Sequence, residues 1–198
     1  MLPMLDVQGF ILVGGESSRM GEDKTRLRFG ERTSVELIAR ALQHVTPLVT
    51  TVGRLHYKVG ALPNIPDLRQ RWGPLAGMEA ALRHAQSRYC LIVACDFPFV
   101  NQSLFKRLLA FADDPDAVVP MQDDGRPQPL CAAYRVETCL PAVESAIAAG
   151  QHSPRALLAQ VQPRYLPFSE LSDLEGSSNF FFNVNTPEDY QRAQRMFR

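Results

Sequence analysis

Two short runs, Gly9-Phe-Ile-Leu-Val13 and Leu91-Ile-Val-Ala94, contain no polar residue. A strand with one face in water alternates apolar and polar positions, so runs of this kind belong to strands covered on both faces. Helix-like stretches separate the strand-like ones. Thr33–His44 reads as a helix with Val35, Leu37, Ile38, Ala41 and Leu42 on one side, and Leu48–Val52 is β-rich. Leu75–Ala85 is helical, with Leu75, Met78, Ala81, Leu82 and Ala85 close to a 3.6-residue period. Gln102–Ala112 reads as helix, Ala117–Pro120 and Leu130–Tyr134 as strands, and Glu137–Ala149 as a helix stopped by Gly150. Ser153-Pro154 and Thr186-Pro-Glu-Asp189 each place a capping hydroxyl before a first-turn proline. This alternation predicts an α/β fold: a three-layer sandwich with a mainly parallel, Rossmann-like sheet, in a single domain spanning residues 1–198.

A chain of 198 residues can bury a sizeable core, and 45% hydrophobic with 21% charged residues is ordinary for a globular protein. Lysine plus arginine (21) equals aspartate plus glutamate (21), which argues against a nucleic-acid binder. No apolar stretch approaches the ~20 residues needed to span a bilayer. The segment Met1-Leu-Pro-Met-Leu-Asp-Val-Gln8 lacks the basic start of a signal peptide. The four cysteines, Cys90, Cys95, Cys131 and Cys139, contain no Cys-x-x-Cys pair and read as reduced thiols of a cytoplasmic protein with no membrane association.

In a parallel α/β sheet, ligands bind beyond the carboxyl ends of the strands. Two segments are expected there. The first is Leu12-Val-Gly-Gly-Glu-Ser-Ser-Arg-Met-Gly-Glu-Asp-Lys24-Thr25. Gly14 and Gly15 leave backbone amides bare, Ser17 and Ser18 add hydroxyls, and Arg19 and Lys24 add cations, a set suited to a polyanion such as a nucleoside triphosphate. It is not a Walker loop, because the lysine follows Gly-Glu-Asp. It is not the dinucleotide fingerprint either, because Gly14 and Gly15 are adjacent and the next glycine is Gly21.

The second segment is Leu91-Ile-Val-Ala-Cys-Asp96-Phe-Pro98. An aspartate just past a buried strand is well placed to hold Mg²⁺, which favours hard oxygen ligands. Asp96 lies too far before Gln102 to cap the helix that starts there. Two further blocks stand out. Gly73-Pro-Leu-Ala-Gly77-Met by itself reads as a helix start. In Phe182-Asn-Val-Asn-Thr-Pro-Glu-Asp189, Asn183 and Asn185 lie two apart on an extended segment and point the same way. They either bind phosphate or metal-bound water, or form a polar lead into the capped helix.

The glycine-rich segment resembles the start of the molybdopterin-activating nucleotidyltransferases and, less fully, of the sugar-phosphate nucleotidyltransferases. Taken in order, the loop, Gly73-Pro-Leu-Ala-Gly-Met78, Cys95-Asp-Phe-Pro98, Gln128-Pro-Leu130 and Asn183-Val-Asn-Thr-Pro-Glu-Asp189 resemble the molybdenum cofactor guanylyltransferase family from Ile11 to about Asp189. The resemblance implies a nucleotidyltransferase fold and transfer of GMP from GTP to molybdopterin with release of pyrophosphate. It implies that Leu12, Val13, Gly14 and Gly15 lie along the nucleotide, that Arg19 and Lys24 hold the triphosphate, and that Asp67 and Gly77 border the nucleotide. Asp96 would ligate Mg²⁺ and face the α-phosphate, and Asn183 and Asn185 would sit near the second substrate. It also implies partner proteins that donate molybdopterin and accept the finished cofactor. Two positions depart from the family pattern: valine stands at 13 where alanine is usual, and Val49-Thr-Thr-Val-Gly53 lacks the usual asparagine, leaving Thr51 as the nearest candidate.

Such a reaction needs no general base, because a phosphomonoester dianion is itself a nucleophile. It needs positioning and charge stabilisation. That agrees with four scattered histidines, His44, His56, His84 and His152. A bulky anionic second substrate calls for further basic surface, to which Arg126, Arg135, Arg155 and Arg164 are candidates; Gln122–Arg126 reads as a turn between strands. The competing readings are a related transferase using CTP or a sugar 1-phosphate, and a nucleotide-binding protein without catalysis.

Overall fold

The computed structural model describes residues 6–13, 24–69 and 72–197. Nine strands are described: β1 (Val7–Leu12), β2 (Arg28–Phe29), β3 (Arg32–Thr33), β4 (Val49–Val52), β5 (Asn64–Ile65), β6 (Tyr89–Ala94), β7 (Ala117–Pro120), β8 (Cys131–Arg135) and β9 (Pro163–Leu166). Seven of them form one sheet in the order β5-β4-β1-β6-β8-β7-β9, and β2 and β3 form a separate hairpin. The pairs β4–β5, β1–β4, β1–β6 and β7–β9 are parallel. Within the seven-stranded sheet, β8, wedged between β6 and β7, runs against its neighbours.

Six α-helices are described: α1 (Ser34–Gln43), α2 (Pro74–His84), α3 (Gln102–Leu109), α4 (Val136–Ala148), α5 (Pro154–Leu158) and α6 (Pro187–Met196). Successive residues of β1 point to opposite faces. Val7 and Ile11 join a cluster with Val35, Ile38 and Leu42 of α1 and Leu104, Phe105 and Leu108 of α3. Phe10 and Leu12 join the other cluster, with Leu75, Met78 and Leu82 of α2, Val143 and Ile147 of α4 and Leu157 of α5. Helices thus cover both faces, as the two unalternating runs require. Gly9 is where α1 comes closest, since a Cβ there would stand 3.1 Å from Leu42 Cδ1.

Most element limits match the sequence reading within a residue or two. α3 is the exception, because it ends at Leu109 rather than Ala112. The chain tightens there: the Phe111 amide donates to Leu108 O and the Ala112 amide to Leu109 O, both three-residue spacings. A third cluster lies at one end, where Leu27 and Phe29 beside the hairpin pack on Val184 and on Ala193 of α6. The Phe29 and Tyr190 rings meet edge-on at 5.5 Å, and the Tyr190 hydroxyl donates to Arg28 O at 2.9 Å. This docking brings the C-terminal segment to the end of the glycine-rich loop. Among the described residues, no helix is long and apolar enough to cross a membrane.

Candidate active site

The carboxyl ends of β1 and β6 lie side by side, with Leu12 paired to Ala94. Three contacts fix the turn that follows β6. The Cys95 amide donates to Leu12 O at 3.0 Å, the Ser34 hydroxyl at the start of α1 donates to Cys95 O, and the Val184 amide donates to Asp96 O at 3.0 Å. Asp96 is therefore held between β1, α1 and the Asn183–Asn185 segment. Asn101 caps α3, its side chain accepting from the amides of Ser103 and Leu104, so Asp96 has no capping duty there.

Asp96 Oδ1 and Asn183 Oδ1 are enclosed and have no hydrogen-bond donor among the described residues. Burial pushes the Asp96 carboxyl above its ordinary value, while the Lys24 ammonium, a backbone amide and the Asn183 side chain oppose that shift. Buried polar oxygens left without a donor are rare and need an explanation. A hard cation is one, and Mg²⁺ usually takes one or two carboxylates and completes its shell with phosphates and water. The donor set fits that ion. Among the described residues, no group of three or more His, Cys, Asp or Glu side chains surrounds a common point.

Lys24 Nζ donates to Asn185 Oδ1 at 2.6 Å. The capping box of α6 holds Asn185 in turn: the Asp189 carboxylate accepts from the amides of Asn185 (3.1 Å) and Thr186 (2.9 Å), and the Asp189 amide donates to Thr186 Oγ1 at 3.1 Å. Burial works against the Asp189 carboxylate, but the Thr186 hydroxyl, these amides and Lys24 outweigh it and lower its pKa. Asn183 and Asn185 face the Asp96–Lys24 pair and also lead into the capped helix.

A second group forms one strand over. Gly77 lies in α2, and a Cβ there would stand 3.3 Å from Leu12 Cδ2 and 3.4 Å from Asp67 Oδ1. The missing side chain lets Asp67 and Leu12 close over the helix. Burial raises the Asp67 pKa. Val13, also buried, donates its amide to Val52 O at 2.8 Å. Leu12, Asp67 and Gly77 are therefore neighbours, as are Lys24, Asp96, Asn183 and Asn185. Gly14, Gly15 and Arg19 lie outside the described residues.

Thr51 stands apart. Its hydroxyl is engaged inside the sheet with Pro63 O at 3.0 Å and Asn64 Oδ1 at 2.9 Å, and the residue is 1% exposed. The Thr51 hydroxyl is thus held by the neighbouring chain segment. The proposed basic surface also thins out. Arg126 pairs with Asp124 at the 122–126 turn, Arg135 donates to the carbonyls of Asp113 and Asp114, and Arg164 pairs with Glu170. His84 packs edge-on against Phe10 and His152 stacks on Trp72, which are structural contacts. Cys90, Cys131 and Cys139 are buried, and burial lifts the Cys139 thiol to about 12, leaving an unreactive thiol at neutral pH.

One acid escaped the sequence reading. Glu79 is fully buried in α2 and pairs with Arg69 and Arg83. Its position on the Leu75–Leu82 stripe was the available signal, since a charge on an apolar stripe needs a partner.

A family model for the MobA-like NTP transferase domain matches residues 9–165. A probable molybdenum cofactor guanylyltransferase of Pelotomaculum thermopropionicum is 34% identical over 98% of this chain and 94% of its own length. One from Carboxydothermus hydrogenoformans is 32% identical, with 94% of each covered. Among solved structures, molybdopterin-guanine dinucleotide biosynthesis protein A from Archaeoglobus fulgidus superposes with a TM-score of 0.79 at 29% identity, covering 96% of this chain and 97% of that one. The 2-C-methyl-D-erythritol 4-phosphate cytidylyltransferase of Thermus thermophilus shares the fold, with a TM-score of 0.70 at 16% identity over 94% and 96% of the two chains.

Proposed function

The chain belongs to the MobA-like NTP transferase domain family, and from that premise we propose that it is a molybdenum cofactor guanylyltransferase. It transfers GMP from GTP to molybdopterin, forming the guanine dinucleotide cofactor and releasing pyrophosphate. The observation that carries this reading is the meeting of Lys24, Asp96, Asn183 and Asn185 at the carboxyl edge of the sheet, beside the Leu12–Asp67–Gly77 cleft.

In the proposed reaction the terminal phosphate of molybdopterin attacks the α-phosphorus of GTP. A phosphate oxygen forms the new bond, the bond from the α-phosphorus to its bridging oxygen breaks, and pyrophosphate leaves with the electron pair. No proton must be removed from the nucleophile, so a site without a histidine base is adequate. Lys24 meets the triphosphate charge, and Asn185 holds the ammonium in place. Arg19 is assigned to the same task. Asp96 is the residue assigned to Mg²⁺, with Asn183 beside it. When bound, that cation offsets the phosphate charge at the reacting phosphorus. Asp67, a half-buried carboxyl beside Gly77, belongs against the N–H or O–H donors of the nucleoside rather than the phosphates. Asn183 and Asn185 border the second substrate.

The cofactor is expected to pass between partner proteins in the cytoplasm. The test is pyrophosphate release with each nucleoside triphosphate, Mg²⁺ and molybdopterin. Release with GTP alone is the expected result. Release with CTP or with a sugar 1-phosphate acceptor would move the reading to a related transferase. GTP binding without release, whatever the acceptor, would make the chain a binding protein.

A further inference from the structure

Glu79 is the one fully buried carboxylate described in α2, with its side chain 1% exposed. Both of its oxygens are taken. Arg69 Nε donates to Oε2 at 2.9 Å, and Arg69 Nη2 and Arg83 Nε each donate to Oε1 at 3.3 Å. Arg83 also reaches Glu144 of α4 at 2.8 Å. A two-point contact fixes the plane of a guanidinium as well as its position. Arg69 belongs to the segment joining β5 to α2 and lies two residues past Asp67.

The far end of that segment is tied independently. Trp72 stacks on His152 with ring centroids 4.3 Å apart, its indole N–H donates to Gln151 O at 3.2 Å, and its carbonyl lies 3.3 Å from His152 Nδ1. Asp67 therefore sits on a segment tied at Arg69 and again at Trp72. Helix α2 supplies the gap at Gly77 beside the Asp67 carboxylate and, two residues on, the acid that anchors Arg69.

We propose that Glu79 is a positioning residue for nucleotide binding: through Arg69 it holds Asp67 over Gly77, in the orientation that receives the nucleoside. The inference rests on the reading of Asp67 as a nucleotide contact. Its physical basis is the cost of burying charge. An ion pair taken from water recovers little stability, and apolar residues of similar size in its place leave a fold unchanged or firmer. A pair kept for folding and a pair kept for positioning therefore predict different outcomes when both partners become methionine.

The experiment compares wild type, Asp67→Ala, the double variant Arg69→Met/Glu79→Met and the triple variant with all three changes. Melting temperature and GTP affinity by calorimetry are measured on each, together with kcat and KM for GTP. The double variant is expected to melt at or above the wild-type temperature and to keep kcat at saturating GTP. It is expected to bind GTP on the order of tenfold more weakly, with Asp67→Ala adding little in that background, since coupled sites are not additive. Wild-type GTP affinity in the double variant overturns the proposal. Unchanged affinity in Asp67→Ala alone overturns instead the nucleotide reading of Asp67. Should the double variant fail to fold, Arg69→Lys, which keeps a cation for Glu79 and loses the two-point contact, gives the GTP-affinity comparison.

Discussion

Lys24 Nζ donates to Asn185 Oδ1 across 161 residues of sequence, at 2.6 Å. The bond closes the site between the end of the glycine-rich loop and the cap of the last helix, with the Asp96 carboxylate in the lysine's field. Lys24→Ala removes a cation that acts on developing charge and is expected to lower kcat ~10²-fold or more. Asn185→Ala keeps the cation and removes only its guide, so the loss should be smaller. Steady-state pyrophosphate release on both variants tests this ordering, and a mild loss in Lys24→Ala would reduce the lysine to a structural role.

Asp96 makes opposite demands on stability and activity. Its folded pKa is raised above the unfolded value, so the folded chain binds that proton more tightly. The resulting stabilisation is complete below the ordinary aspartate pKa and is lost as pH rises through the raised one. Near neutral pH the metal-free protein therefore carries a destabilising carboxylate. Asp96→Asn is expected to melt higher than wild type in EDTA at pH 8, with the gap shrinking toward pH 4, while turnover falls steeply. Mg²⁺ with GTP should raise the melting temperature of wild type far more than that of the variant. Equal melting of the two proteins across that pH range would contradict the burial argument, and near-wild-type turnover would contradict the metal role.

Gly77 separates helix propensity from site geometry. Alanine in a helix interior is favoured over glycine by about 1 kcal/mol. Here its Cβ would press on Leu12 Cδ2 at 3.3 Å and on Asp67 Oδ1 at 3.4 Å. Gly77→Ala should thus leave stability within about 1 kcal/mol of wild type while raising KM for GTP several-fold. Urea unfolding and GTP saturation curves measure the two effects, and an unchanged KM would show that Gly77 is only a packing position.

Asp189 serves a helix cap and also stands in the field of Lys24. Thr186→Ala removes the hydroxyl cap and should cost about 1 kcal/mol. Asp189→Ala removes the acceptor of two amides, one of them on Asn185, together with a negative charge beside Lys24. The second variant should therefore lose more kcat than the first at similar melting temperature. The reverse order would place Asp189 in the cap alone.

The elements of the fold were largely legible from residue pattern. The unalternating runs around Phe10 and Ile92 demanded cover on both faces, and Ser153 and Thr186 each cap a helix ahead of a first-turn proline, as their sequence context requires. Chemistry was legible where it follows a strand end, as at Asp96. The reversed strand β8 was not, because Cys131–Arg135 is as apolar as a parallel strand would be and nothing local sets its direction. The surroundings of Thr51 were hidden for a similar reason. Its position near the end of β4 was readable, but the Pro63 carbonyl and Asn64 side chain that occupy its hydroxyl come from a separate strand.

Local order along the chain determined the helices, the central strands and the caps at Ser153 and Thr186, since those follow from periodicity and backbone sterics within a few residues; the short β2, β3 and β5 and the edge strand β9 carry too little pattern of their own. Only the tertiary structure decided that Lys24 meets Asn185, that Asp67 closes over Gly77 and that Arg69 reaches buried Glu79. Each of these contacts depends on which elements pack together, and the burial of apolar surface that drives packing carries no directional record in the polar residues it brings into contact.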